Sequence, residues 1–378
     1  MPCAGSVTSP VRLCVGMSAM FRKAVRGFLG PRNRLDLQQQ FGFRRAPKKE
    51  DPPQLKSQKK KEADSVSDRH VEQQQSLQKS GLSPEFDYHT LQTVPYSRLF
   101  KPFCFAIGFS GVSFVGASIW QYENLRVLTR RLIGLDGDFF RDRIHPPKTG
   151  QWRREINKFW QNLTEGQKVV SVIIGLNGLV YALWRIPQCG PTMLKYFTSN
   201  IASTAICLPM VLSTFSHYSF LHYAVNMYVL WSFSTSAVAI LGKEQFTAFY
   251  LTAGVLSNLA SYAAKVGFQR FGPSLGASGA IMGVLGLVCT QVPEAQLAIV
   301  FFPFVTFTAG SAIKVIMGLD AAGVLLGWRF FDHAAHLGGA LCGIWYMLYG
   351  HKQIWQNREP VMRAWHKLRD PQQPPPKS

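Results

Sequence analysis

The order of apolar and polar positions divides the chain near residue 101. Before it the residues are mostly polar and basic. After it come repeated apolar stretches of about 18–22 residues, the length that crosses a hydrocarbon core. Seven spans are predicted, at 102–122, 168–184, 219–241, 246–264, 274–292, 308–327 and 333–350. Buried helices of a soluble domain mimic one or two such stretches. Seven in succession, with tight charged turns such as Lys243-Glu244 and Pro293-Glu294 between them, specify an all-α, polytopic membrane helix bundle. The segment 123–167, with Trp152, Trp160 and Arg153-Arg154, reads as an interfacial connection. The connection 185–216 reads as partly helical and interfacial, and 296–307 is apolar but interrupted by Pro303. Residues 351–378 read as a basic, solvated C-terminal tail.

Composition adds a destination. The 378 residues carry a formal charge of +20. Arg12, Arg22, Lys23, Arg26, Arg32 and Arg34 precede the first acid, Asp36, with serines and small residues between them. That pattern predicts a mitochondrial presequence over 1–45. Residues 46–101 are rich in Pro, Gln, Ser, Lys and Glu and include the run Lys59-Lys60-Lys61. They bury too little apolar surface to offset chain entropy and are predicted to be a disordered tail. The basic run has little aromatic interleaving, so no nucleic-acid partner is expected. The seven cysteines are scattered and none forms a C-x-x-C pair, which removes zinc-ribbon and thioredoxin-like readings. No cofactor or metal is expected.

Polar groups inside apolar spans are costly and default to functional candidates. His222 and Asn226 share one face of the third span by their i, i+4 spacing. His217 stands where the chain enters that span. The fifth opens Gly276-Ala277-Ser278-Gly279, and the seventh opens His333-Ala334-Ala335-His336, with Gly339 and Gly343 forming a small-residue face. Alternate spans start on the same side of the membrane. His222, Ser278 and His336 are each expected three or four residues in, roughly 5–6 Å below the start.

A serine, two histidines and an asparagine at one depth suit acyl transfer. A hydroxyl is a weak nucleophile that needs an adjacent base. Neutral His336 takes the Ser278 proton and returns it to the leaving amine. The Ser278 backbone N–H, Asn226 and His222 are candidate donors to the oxyanion.

G-A-S-G at Gly276–Gly279, H-x-x-x-N at His222–Asn226 and A-H-x-x-G at Ala335–Gly339 closely resemble the rhomboid family of intramembrane serine proteases. The likeness covers 168–350, a rhomboid-like six-helix catalytic core, with one extra N-terminal transmembrane helix at 102–122. The resemblance implies a Ser278–His336 dyad, with His222 and Asn226 near the oxyanion. It also implies cleavage of single-pass membrane proteins in the mitochondrial inner membrane. Many rhomboids carry a tyrosine four residues after the serine, stacked on the catalytic histidine. Met282 stands there in this chain and is expected to pack on the imidazole as support, with His217 as a second support.

Several residues are weighed against plainer roles. Asp332, at i−4 from His336, suggests a triad, but a helix cap is the more ordinary reading. His333 and His336 could ligate a metal, yet no H-E-x-x-H motif accompanies them. Lys314 and Asp320 lie in the sixth span, where helix packing and snorkelling are expected. That span and the loop 328–333 are the expected gate. Two other classes compete: a catalytically silent rhomboid-like protein that escorts membrane helices, and a transporter, which would show inverted repeats. The helix count puts the catalytic mouth on the side of the N-terminal tail.

Overall fold

The computed structural model describes residues 93–132, 150–299 and 302–369. The expected presequence, the residues of the tail before 93 and the last nine residues lie outside these. All seven predicted spans fall on helices. Helix α1, Phe100–Leu132, is followed by a short helix α2, Gln151–Gln161, and by α3, Glu165–Leu183. The long connection holds two short helices, α4 (Gly190–Tyr196) and α5 (Leu208–Leu212). Then come α6 (Phe220–Leu241), α7 (Lys243–Gly267) and α8 (Ser278–Gln291). A two-stranded antiparallel hairpin, β1 (Gln296–Ile299) with β2 (Phe302–Thr308), precedes α9 (Ala309–Leu326). The chain ends with α10 (His333–Trp345), which continues into a π-wound turn Tyr346–Gln356, and α11 (Glu359–Arg369).

Among the described residues α1, α3, α6 and α9 are long and apolar enough to cross a membrane, and α8 is a shorter apolar helix. Large apolar side chains point outwards along them: Ile107 and Val112 on α1, Leu176 and Leu179 on α3, Val225 on α6, Val315 and Leu325 on α9. So much exposed apolar surface on successive helices calls for lipid rather than water. Helix α2 lays Trp152, Ile156, Phe159 and Trp160 on one face, all exposed, beside Arg153, Arg154 and Lys158. That amphipathic pattern suits a helix lying at a membrane surface. Thr164 caps α3 through a reciprocal capping box with Gln167.

Helix α8 is the axis of the bundle. Ala280 to Cys289 are all buried within it. Helices α6, α7, α9 and α10 surround it, and α3 packs on α6. The tightest pairing is α8 with α10. A Cβ added at Gly339 would lie 2.0 Å from the Gly279 carbonyl oxygen, and one at Gly343 would lie 2.0 Å from that of Gly283. The small-residue face expected on the last span is therefore the device that lets two backbones touch.

Three elements differ from expectation. The apolar stretch 296–307 is the hairpin: β2 is rich in aromatic and β-branched residues, and Gln296 pairs with Thr308. Helix α1 runs ten residues past the expected end at 122. Residues 351–369 are not a solvated tail: α11 docks on the end of α1. Trp365 Nε1 donates to Glu123 Oε1 at 2.8 Å, Arg369 pairs with the same carboxylate at 3.0 Å, and Arg358 Nε donates to Gln121 at 2.7 Å. Buried His366 bonds the Tyr122 hydroxyl. The partners on α1 are Gln121 and Tyr122 at the end of the predicted span and Glu123 just past it, and hydropathy does not show that the basic tail meets them.

Candidate active site

Ser278 is the first residue of α8, not four residues inside it. The predicted start near 274 fails because Ser274 is tied back to the long connection. Ser199 N–H donates to the Ser274 carbonyl at 2.7 Å, Ser274 N–H returns the bond at 3.0 Å, and Gly276 N–H donates to Ser213 at 3.0 Å. Gly276 then turns the chain at φ 134°, a conformation that favours glycine. A Cβ there would also sit 2.7 Å from the His222 ring. Ala277 provides no side-chain cap, so the N–H groups of the first turn, beginning at Ser278, are left without intrahelical acceptors.

The glycine contact between α8 and α10 brings the two key side chains together. Ser278 Oγ and His336 Nε2 are 2.8 Å apart, a hydrogen bond of ordinary length. Both side chains are part-buried. Phe331, from the loop before α10, lies 6.0 Å from the His336 ring at an interplanar angle of 33°. Met282, expected to pack on that imidazole, is buried in the apolar core one turn below Ser278. The family resemblance suggested the methionine; the neighbouring ring comes from a loop whose course the sequence did not reveal.

His222, Asn226 and His217 gather beside the serine. Asn226 Nδ2 donates to His217 Nε2 at 2.9 Å, and Ala277 N–H approaches the same nitrogen at 3.4 Å. The His217 and His222 rings are 5.0 Å apart. His217 is fully buried. Burial, and then the neighbouring His222, push its imidazole down to about 3, so it stays neutral. Expected as a minor support, it is the link that holds Asn226 to the turn preceding the serine. Behind Ser278 lies a polar cavity of about 20 Å³, bounded in part by Ser213, Ser257, Asn258 and Ser274, room for one water.

Asp332 does not face the His336 imidazole. It caps α10, accepting from Ala335 N–H at 3.0 Å, and it accepts from Ser261 Oγ at 2.5 Å and pairs with Lys265 at 3.4 Å. Burial acts to raise its carboxyl, but Lys265, Ser261 and the Ala335 N–H outweigh that and hold it below the usual range. The carboxylate near the base is Asp320 of α9. Its Oδ1 lies 2.8 Å from His333 Nδ1 and 3.3 Å from His336 Nδ1. Sequence reasoning assigned Asp320 to packing. The available signal was an acid inside an apolar span, but its partner could not be chosen without the helix arrangement. Asp320, His333 and His336 are also the described residues placed to hold an ion, with ligating atoms within 4.8 Å of one another; of the three pairs, His333 and Asp320 share a hydrogen bond. Lys314 lines a different, largely apolar cavity with Cys289, Pro293 and Met317, at the far end of α8.

The fold is a helical membrane bundle in which a serine and a histidine from two helices share a hydrogen bond. The Rhomboid domain matches residues 207–353, and the chain belongs to the rhomboid family. It is 52% identical over 347 residues to the presenilin-associated rhomboid-like protein, mitochondrial, of Rattus norvegicus, covering 91% of this chain and 88% of the relative. Rhomboid protein 1, mitochondrial, of Saccharomyces cerevisiae is 35% identical over 203 residues, 53% of this chain and 58% of its own. The Rhomboid protease GluP of Bacillus subtilis is 32% identical over 132 residues, 34% of this chain and 23% of its own. The mitochondrial relatives and the succession of apolar helices together make this a multi-pass protein of a mitochondrial membrane.

Proposed function

We propose that the protein is an intramembrane serine endopeptidase of the mitochondrial inner membrane, cutting single-pass membrane proteins in or near their transmembrane segments. The observation that carries this reading is the 2.8 Å bond between Ser278 Oγ and His336 Nε2. In the proposed reaction Nε2 accepts the hydroxyl proton as Oγ attacks the scissile carbonyl. The C–N bond then breaks as the imidazolium returns that proton to the leaving amine. The uncapped N–H of Ser278 is the first candidate donor to the oxyanion, with Asn226 and His222 beside it. A transmembrane substrate must present an unwound segment, so weak helix formers such as Gly should mark the cut. Water reaches the acyl-enzyme from the polar side, where the cavity behind Ser278 offers a waiting place.

The test uses the purified full chain in liposomes with a single-pass substrate. Ser278→Ala and His336→Ala should each abolish cleavage, and Ser278→Ala should abolish labelling by a serine-reactive phosphonate, with the bundle still folded. Cleavage by Ser278→Ala at the wild-type rate would refute the assignment. The silent, helix-escorting reading predicts loss of one of these two groups, and both are present.

A further inference from the structure

We propose that Asp320 is a positioning residue for His336, so that the proposed dyad works as a serine–histidine–aspartate relay assembled from three different helices. The inference rests on the protease reading above and adds a member to it that motif spacing does not supply.

The argument begins with the tautomer. For Nε2 to accept the Ser278 proton, it must be unprotonated, and the ring proton then resides on Nδ1. That N–H needs an acceptor, because the ring is largely removed from water, its side chain 16% exposed. The atom on that side is Asp320 Oδ1, at 3.3 Å. The carboxylate is itself under-occupied. Its Oδ2 is buried with no hydrogen-bond partner among the described residues. Asp320 is 5% exposed and stands twelfth in the 18 residues of α9, a costly place for an acid serving only as packing. Removing one lone acid from the spans would be easy; keeping it beside the base gives it a use.

His333 completes the arrangement. Its Nδ1 makes the shorter bond to the same oxygen, 2.8 Å, and its ring lies on α9 over Gly323, where a Cβ would come within 2.5 Å. The histidine thereby fixes the carboxylate against α10, with His336 Nδ1 3.3 Å from the same oxygen. When His336 accepts the serine proton, positive charge develops 3.3 Å from a carboxylate that is already in place, which is electrostatic preorganisation without movement. Phe330 lies against the His333 ring and Phe331 against that of His336. Because Asp320 belongs to α9, the base is oriented only while α9 is packed on α10.

The experiment compares Asp320→Asn, Asp320→Glu and His333→Gln in liposome-reconstituted full chain. Asp320→Asn should lower kcat at least tenfold, within the ~10²–10⁴-fold that acid–base assistance supplies, with KM changed less than about twofold. It should slow phosphonate labelling of Ser278 in proportion, and Asp320→Glu should restore part of both. His333→Gln, whose amide can still donate to the Asp320 carboxylate, should lower kcat less than Asp320→Asn does. The direct readout is nitrogen-15 magnetic resonance of His336 in folded protein: Nδ1–H in the wild type, shifted towards Nε2–H in Asp320→Asn. A wild-type ring already in the Nε2–H form, or an Asp320→Asn variant with wild-type kcat and labelling, overturns the inference and leaves the dyad standing. Cleavage that survives Ser278→Ala would instead remove the reading beneath it. A variant that does not fold still leaves the wild-type tautomer as the deciding measurement.

Discussion

Replacing Gly339 by alanine should disable the site without touching a reacting atom. The added methyl carbon would begin 2.0 Å from the Gly279 carbonyl oxygen. Ordinary contact starts at 3.4 Å, so α8 and α10 must part by about 3.4 − 2.0 = 1.4 Å if neither helix deforms. His336 lies one turn from Gly339 on α10, and Ser278 is adjacent to Gly279 on α8. If the shift falls along the line between the two groups, their 2.8 Å separation grows to about 4.2 Å, past hydrogen-bonding range. Losing the base's reach should lower kcat by ~10²–10⁴-fold, which is about 3–5 kcal/mol of barrier. The overpacked interface should also cost ~1–3 kcal/mol of stability. The assay is single-turnover cleavage in liposomes alongside a thermal melt, with Gly175→Ala on α3, where a Cβ meets nothing within 4 Å, as the matched control. Wild-type kcat and melting temperature in Gly339→Ala would show that glycine contact does not set the serine–histidine distance.

His217 should make the fold acid-sensitive. Its imidazole stays neutral in the folded protein down to about 3, whereas in the unfolded chain it takes a proton below its ordinary value near 6.5. Its contribution is therefore complete above that pH and declines as pH falls towards 3, by about 2 kcal/mol between pH 6.5 and 5. Chemical unfolding in micelles at those two pH values should show a steeper loss for wild type than for His217→Asn; equal losses would contradict the burial argument. At the other end of the bundle, Trp365→Ala removes the indole bond to Glu123. It should free α11, speeding limited proteolysis near Asn357 roughly tenfold while the core melt stays in place. Unchanged proteolysis would mean that α11 is held elsewhere.

The glycine contact also shows where sequence reading ends. The seven apolar stretches, the amphipathic face of α2 and the Ser278, His336, His222 and Asn226 set were all legible, because hydropathy and helical spacing are local properties. The small-residue face at Gly339 and Gly343 was visible too, though not which backbone it would meet. What could not be read were relations between distant segments. The start of α8 at Ser278 depends on Ser199 and Ser213 binding the preceding residues. Phe331 beside His336 depends on the course of a loop, and the docking of α11 depends on polar atoms at and just past the end of the first apolar span.

Hydropathy and spacing were enough to specify a membrane bundle and the residue types gathered near one of its faces, since lipid forces backbone bonding within each span and makes every buried polar group conspicuous. Which of those groups touch was settled by helix packing. Asp332 and Asp320 look alike as lone acids near His336, one four residues away and the other sixteen. Packing gives Asp332 to the α10 cap, Ser261 and Lys265, and gives Asp320 to the two histidines. The physical reason is that one helical turn sets where a side chain leaves its own helix, while the close approach of neighbouring helices sets what it meets.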